Sequence, residues 1–186
     1  MALKATIYKA TLQIADIDHA YYADHALTLA RHPSETDERM MMRLLAFALC
    51  ARMGNAEGLE LAKDMWEPDE PALWQRDLTG AITHWVEVGL PDDKRLLKAC
   101  GRAAHVTLFA YGHTVDTWWK PLAGKLSRAQ NLHVLQVPSA QSKALAQLAA
   151  RSLQLQVTMQ EGSVMVSGGA HTLHIDTHTL MGRPAV

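Results

Sequence analysis

The chain opens on two stretches in which apolar and polar residues alternate. In residues 5–16, ATIYKATLQIAD, Tyr8, Leu12 and Ile14 oppose Lys9, Thr11 and Gln13, the two-residue period of a half-buried strand. Residues 16–19 form a turn and residues 21–31, YYADHALTLAR, return, so the pattern predicts a long hairpin. Pro33 stops it. Ser34, with Asp37 three residues on, has the signature of a capping box. Met41, Leu44, Leu45, Ala48 and Leu49 then recur at helical spacing and predict a helix with one apolar stripe.

The pattern loosens over residues 55–80. LELAK, residues 59–63, has the length of a short strand, and the acid-rich WEPDEPALWQRDLTG reads as a loop with one helical turn after Pro71. From there the order is regular. Strands at 81–88, 105–111 and 131–137 are each followed by an amphipathic helix, at 92–104, 115–129 and 139–151. Strands apolar on both faces, alternating with helices, predict a parallel sheet covered by helices. LQLQVTMQ, VMVSGG and HTLHIDTHTL then predict short antiparallel strands turning at Gly162 and at Gly168-Gly169. Without repeats or linkers, residues 1–186 read as a single α/β domain with extra hairpins.

Composition adds little to this until charge is divided along the chain. The 48% apolar and 20% charged content is that of an ordinary globular protein. No apolar run approaches a membrane span and no leader pattern opens the sequence, so a membrane-free, cytoplasmic setting is expected. Cys50 and Cys100 each fall within a predicted helix, which suggests neither a disulfide framework nor a cysteine metal site. The net charge of −1 hides a division: residues 1–93 carry 16 acids and 8 bases, residues 94–186 carry 3 and 10. That division fits a basic surface beside an acidic pocket, and equally two oppositely charged halves packed together.

The familiar catalytic signatures are missing: no glycine-rich phosphate loop, no HExxH, no GxSxG. His171, His174 and His178 read as a solvated strand. The acids are more informative. Glu38 lies three residues before Met41 and so on the buried side of its helix, where it needs a partner or acts as a metal ligand. Asp77 stands three residues before Gly80, as a turn residue or as a ligand. Glu87 interrupts an otherwise apolar strand, a place that disfavours Glu unless it serves a purpose. Its position near the strand's carboxyl end is where α/β folds put their sites.

Basic residues follow at once: Lys94, Lys98 and Arg102 form a stripe at helical spacing beside the predicted buried positions Leu96, Leu97 and Cys100. Carboxylates holding Mg²⁺ with a lysine nearby suit phosphodiester hydrolysis. The same stripe also suits a solvated helix face. Trp118 and Trp119 read as a buried pair, with base stacking as the other reading.

The strings MALKATIYKATLQIAD, LTLARHPSETDERMMMRLLAFAL, DEPALW, HWVEVGLPDDKRLLKAC and NLHVLQ resemble the YaeQ family of bacterial proteins, essentially end to end. The resemblance implies a variant of the restriction-endonuclease-like, PD-(D/E)XK fold: a three-layer α/β core with a mixed sheet, plus an N-terminal β-hairpin and C-terminal antiparallel strands. It further implies that Glu38 matches an early helix Glu and Glu87 the acid of D/E-x-K. Asp77 is the candidate for the preceding Asp, with Asp69 and Glu70 as rivals. The lysine position is Gly89, so Lys98 or Lys94 from the next helix is the implied substitute.

Two functions are therefore expected. One is a Mg²⁺-dependent nuclease with Glu38, Asp77 and Glu87 on the metal and Lys98 stabilising the transition state. The other is a catalytically inactive nuclease-fold protein in a regulatory role. It would bind a protein partner, or nucleic acid through the region that begins Lys94, Arg95, Lys98 and Arg102. The oligomeric state is left open.

Overall fold

The computed structural model describes residues 4–54 and 58–184. Its chain divides into two compact units, one of residues up to Arg52 with Ala140–Asp176, the other of Met53–Ser139 with the residues from Thr177 on. The fold is mixed α/β, with two mixed sheets and, among the described residues, four α-helices. None of those helices is long and apolar enough to cross a membrane.

In the first unit, β1 (Thr6–Asp16) and β2 (Tyr21–Arg31) form the predicted hairpin, paired antiparallel over their whole length. The expected C-terminal strands, β8 (Ser152–Gln160), β9 (Ser163–Gly168) and β10 (His171–Ile175), are antiparallel to one another. They are not a separate appendage, because β8 pairs parallel with β1 and makes one sheet in the order β10-β9-β8-β1-β2. The shared alternation explains the pairing: Leu12 and Ile14 lie beside Leu155 and Val157 and bury the same face. Against that face pack Met41, Leu44 and Leu45 of α1 (Asp37–Cys50).

Helix α1 corrects two expectations. Its cap is Thr36, whose hydroxyl accepts from the Arg39 amide at 3.1 Å, and not Ser34. It is buried all round and not along one stripe, with Met40 to Ala48 all inaccessible. The run MMMRLLAFAL leaves no polar side except Arg43.

The second unit holds β3 (Glu60–Leu61), β4 (Leu73–Arg76), β5 (Ile82–Val88), β6 (Ala103–Tyr111), β7 (Leu132–Val137) and β11 (His178–Met181), in the order β11-β7-β6-β5-β4-β3. Strands β5, β6 and β7 are parallel, as the strand–helix alternation predicts. The segment after Pro71 is a strand and not a helical turn: β4 pairs antiparallel with β5, stacking Trp74 edge-on against Trp85. Propensity decides this, since LWQR presents a bulky aromatic to a cross-strand tryptophan. HTLHIDTHTL breaks at residues 176–177 into β10 and β11, which belong to different sheets, so its histidines do not share one face.

One cluster in this unit joins Trp85, Val106, Leu108, Leu132 and Val134 of the sheet to Leu96 and Ala99 of α2 (Asp93–Arg102) and Leu126 of α3 (Val115–Leu126). Trp118 and Trp119 pack against it with ring centroids 5.7 Å apart, and the Trp118 indole donates to the Pro91 carbonyl at 2.9 Å. The tryptophan pair is thus half-buried core. Leu97, expected in the buried face of α2, is 45% exposed, and Ala99 takes its place. The last helix, α4 (Ser139–Ala146), ends sooner than its apolar pattern predicts.

Candidate functional site

Alternation along β5 places Trp85 and Glu87 on one face, the face that α2 covers. Glu87 is 3% exposed, and one of its oxygens accepts two hydrogen bonds of 2.8 Å, from the Trp85 indole and from Nε of Arg95. Burial raises the Glu87 pKa. The Arg95 cation and both donors oppose that rise, and the Asp64 carboxylate adds to it. Asp64 is itself buried and holds a left-handed backbone, φ 52°.

Arg95 has further partners. Its terminal nitrogens donate to the Pro68 carbonyl and, at 2.9 Å, to the Glu70 carbonyl. One turn on, the Lys98 ammonium meets Asp69 at 2.6 Å. Arg102 donates to the Asp69 carbonyl at 2.9 Å and lies 5.0 Å above the Trp85 ring. Arg95, Lys98 and Arg102 of α2 therefore clamp the acidic loop 67–70, a pairing across 25 to 33 residues that no local pattern announces. Asp69 titrates below the usual carboxylate range, first through the Lys98 hydrogen bond and then through the surrounding cations.

The remaining sequence-predicted residues lie elsewhere. Asp77 closes the β4–β5 turn, accepting from the Thr79 hydroxyl at 2.6 Å and from the Thr79 and Ala81 amides at 2.8 and 3.0 Å. Those bonds, the hydroxyl's foremost, depress its pKa. Asp77 precedes the start of β5 while Glu87 is near its end; five residues of strand, 82 to 87, already span roughly 16 Å. The two carboxylates are therefore not brought together. Glu38, in the first turn of α1, accepts from the buried Ser142 hydroxyl at 2.6 Å and belongs to the first unit. Among the described residues, no three His, Cys, Asp or Glu side chains are grouped to hold a metal ion.

Gly89, where the resemblance leads one to look for a lysine, has φ 117°. That backbone region is costly for any residue with a Cβ, so the turn leaving β5 itself demands glycine. Lys94 is exposed on α2 and has no acidic partner among the described residues, and the same holds for Lys120 and Arg128 on and beyond α3. Lys125 of α3 reaches Asp93 of α2 at 3.5 Å, across the seam where the two helices pack.

Two buried polar clusters, one around Glu35 and one of His84 and His133, are not among the candidates read from the sequence. Glu35 is held by Arg43 through two bonds of 2.7 and 2.6 Å and by Arg39 at 3.1 Å. The spacing of four and eight residues was the readable signal. His84 on β5 and His133 on β7 are both buried, and His84 shares a 2.8 Å hydrogen bond with Thr107 of β6. Burial, with the neighbouring histidines, pushes His84 down to about 4, and burial lowers His133 too. Among the described residues, the His84 Nδ1 and His133 Nε2 atoms have no hydrogen-bond partner.

Comparison with known proteins gives one consistent result. The family model described as YaeQ protein matches residues 1–177. "Uncharacterized protein YaeQ" of Salmonella typhi is 43% identical over 176 residues, covering 94% of this chain and 95% of that one. Its namesake in Escherichia coli K12 is 42% identical over 177 residues, covering 95% and 96%. The crystal structure of YaeQ protein from Xanthomonas axonopodis pv. citri superposes with a TM-score of 0.90 at 40% identity, over 97% of this chain and all of the other. That from Pseudomonas syringae gives 0.89 at 34% identity, over 96% and 97%.

Proposed function

The chain belongs to the YaeQ family, and from that premise we propose that it is a nucleic-acid-binding protein on a restriction-endonuclease-like core whose carboxylate site is held closed. The observation that carries this reading is the disposition of charge around α2 and α3. Glu87, the acid best placed for chemistry, is committed to Arg95 and Trp85. Lys94 of α2, Lys120 of α3 and Arg128 just beyond α3 stand exposed without acidic partners among the described residues. Exposed cations on two adjacent helices offer a phosphate backbone a contact whose strength comes from counterion release. Arg95 and Arg102 take no direct part, since both guanidiniums are engaged with the 67–70 loop; Lys98 must leave Asp69 to join.

The test is titration of fluorescent single- and double-stranded DNA and RNA at several salt concentrations. Binding is expected to weaken with salt. The combined variant Lys94→Ala, Lys120→Ala, Arg128→Ala is expected to flatten the salt dependence by about 0.9 log unit per cation that contacts duplex phosphate. Absence of binding at low salt defeats the reading.

A second reading, Mg²⁺-dependent phosphodiester hydrolysis, is supported by the place of Glu87 near the carboxyl end of β5 with Lys98 one helix on. The residues as arranged do not fit a metal centre: Arg95 and Trp85 hold the Glu87 oxygen, and turn donors hold Asp77. Hydrolysis therefore requires Arg95 to release Glu87. Cleavage of a mixed nucleic-acid pool with Mg²⁺ or Mn²⁺, lost in Glu87→Gln, would establish it; equal cleavage by both proteins would mark a contaminant.

A further inference from the structure

Four residues, Glu67 to Glu70, lie as a strap across the basic side of α2. Arg95, Lys98 and Arg102 stand three and then four residues apart, on one side of the helix over about 10 Å of its length. Each meets the strap: Arg95 at the Pro68 and Glu70 carbonyls, Arg102 at the Asp69 carbonyl, and Lys98 at the Asp69 carboxylate. Two of these cations have a second hold. Nε of Arg95 is fixed by the buried Glu87, and the Arg102 guanidinium lies 5.0 Å from the centre of the Trp85 ring. Trp85 and Glu87 share one face of β5, so both guanidiniums keep their backing whether or not the strap covers them.

The strap is lightly held. Glu67, Pro68 and Asp69 are exposed and Glu70 is half-buried; the firm anchor begins beyond them, at the buried Pro71, Ala72 and Leu73. The ion pair of Lys98 with Asp69 is exposed on both sides and contributes little. The strap's other contacts with α2 use neutral carbonyls as acceptors. Phosphate is the stronger acceptor for a guanidinium, because it is charged and is gripped by two N–H groups at once. It does not share the place with the strap, whose four residues carry three carboxylates.

We infer, building on the nucleic-acid-binding function proposed for this chain, that the 67–70 loop is an autoinhibitory strap over a second phosphate-binding face. Nucleic acid binds first to Lys94, Lys120 and Arg128, and then to Arg95, Lys98 and Arg102 as the strap is displaced. The closed strap keeps these three cations out of the contact, and its release adds them. Phosphate is the occupant in preference to an acidic protein segment for a simple reason. The strap is itself an acidic peptide, tethered beside α2 at high effective concentration, so a free one offers these cations nothing new.

The experiment is an anisotropy titration of a labelled DNA duplex with the full chain at several salt concentrations, for the wild type, Asp69→Asn, Glu67→Gln and Arg102→Gln. Asp69→Asn and Glu67→Gln remove the same charge from the same loop, but the Glu67 carboxylate is paired with Lys63, outside α2, at 4.0 Å. Asp69→Asn should bind at least threefold more tightly than Glu67→Gln. Arg102→Gln should bind at least threefold more weakly than the wild type, with a salt slope shallower by about 0.9. Polyglutamate at equal charge should not displace the duplex. Equal effects of Asp69→Asn and Glu67→Gln, unchanged binding by Arg102→Gln, or displacement by polyglutamate each overturns the strap and leaves duplex binding through Lys94, Lys120 and Arg128 standing. No duplex binding by any of the four proteins at low salt defeats the nucleic-acid function, and the strap with it.

Discussion

Nε of Arg95, in the first turn of α2, donates to Oε1 of Glu87, near the end of β5, at 2.8 Å, and the rest of the same guanidinium holds the carbonyls of Pro68 and Glu70. One side chain thus fastens a central strand, a helix and a loop. The clamp explains how a carboxylate survives inside an apolar strand: Glu87 has a cation and an indole as donors, and Arg95 has three acceptors.

Removing either partner should therefore destabilise the fold. Arg95→Ala is expected to cost about 2–3 kcal/mol, because it takes the cation from a buried carboxylate, and Glu87→Ala about 1–2 kcal/mol, because it strands the buried Trp85 indole while the part-exposed Arg95 keeps two carbonyls. Urea unfolding of the two single variants and the double variant checks this. The double variant should lie closer to either single than to their sum.

The surface pair beside it behaves differently. Lys98 and Asp69 are 59% and 77% exposed, so solvent screens their contact despite its 2.6 Å length. Asp69→Asn should leave the melting temperature within error of the wild type. In the nucleic-acid titration the same variant should bind more tightly, because Lys98 is then released.

Stability should fall on acidification through the buried imidazoles. His84 titrates at about 4 in the folded chain against an unfolded value near 6.5, so between those values the unfolded state binds the extra proton. The stability is fully present above about 6.5 and declines by about 3 kcal/mol as pH drops to about 4. His133 acts in the same sense. Glu87 acts in the opposite sense, since its raised pKa means that acid relieves its burial. Comparing the pH dependence of urea unfolding for the wild type and His84→Gln isolates the imidazole, and the variant's slope should be shallower.

Restoring the lysine that the resemblance leads one to look for should not restore a nuclease. Gly89→Lys places a Cβ on a backbone held at φ 117°, and a loss of about 1–2 kcal/mol is expected. Metal-dependent cleavage equal to that of an authentic nuclease in this variant would contradict the view that the backbone itself excludes the residue. The turn at Gly80, φ 87°, makes a parallel case: Gly80→Ala should cost about 1 kcal/mol by thermal unfolding.

Local pattern determined much of this protein. Alternation in ATIYKATLQIAD and YYADHALTLAR fixes β1 and β2 because a half-buried strand has a period of two, and the strand–helix order of residues 81–137 fixes a parallel sheet because parallel neighbours need crossovers. The importance of Glu87 was legible for the same local reason, as a charge in an apolar strand. Tertiary structure alone decided what Glu87 meets. Arg95 is eight residues from Glu87, and its partners Glu70 and Pro68 in the 67–70 loop are 25 and 27 residues from Arg95; no spacing rule couples a loop to a helix across a strand. It also decided that β8 joins β1, about 140 residues apart, into one sheet. Asp77 reads from sequence as either ligand or turn former, and only the three-dimensional fold showed one of its carboxylate oxygens accepting three donors of its own turn. Side-chain type and period are local properties, whereas a charge's partner depends on which surfaces the packed core brings face to face.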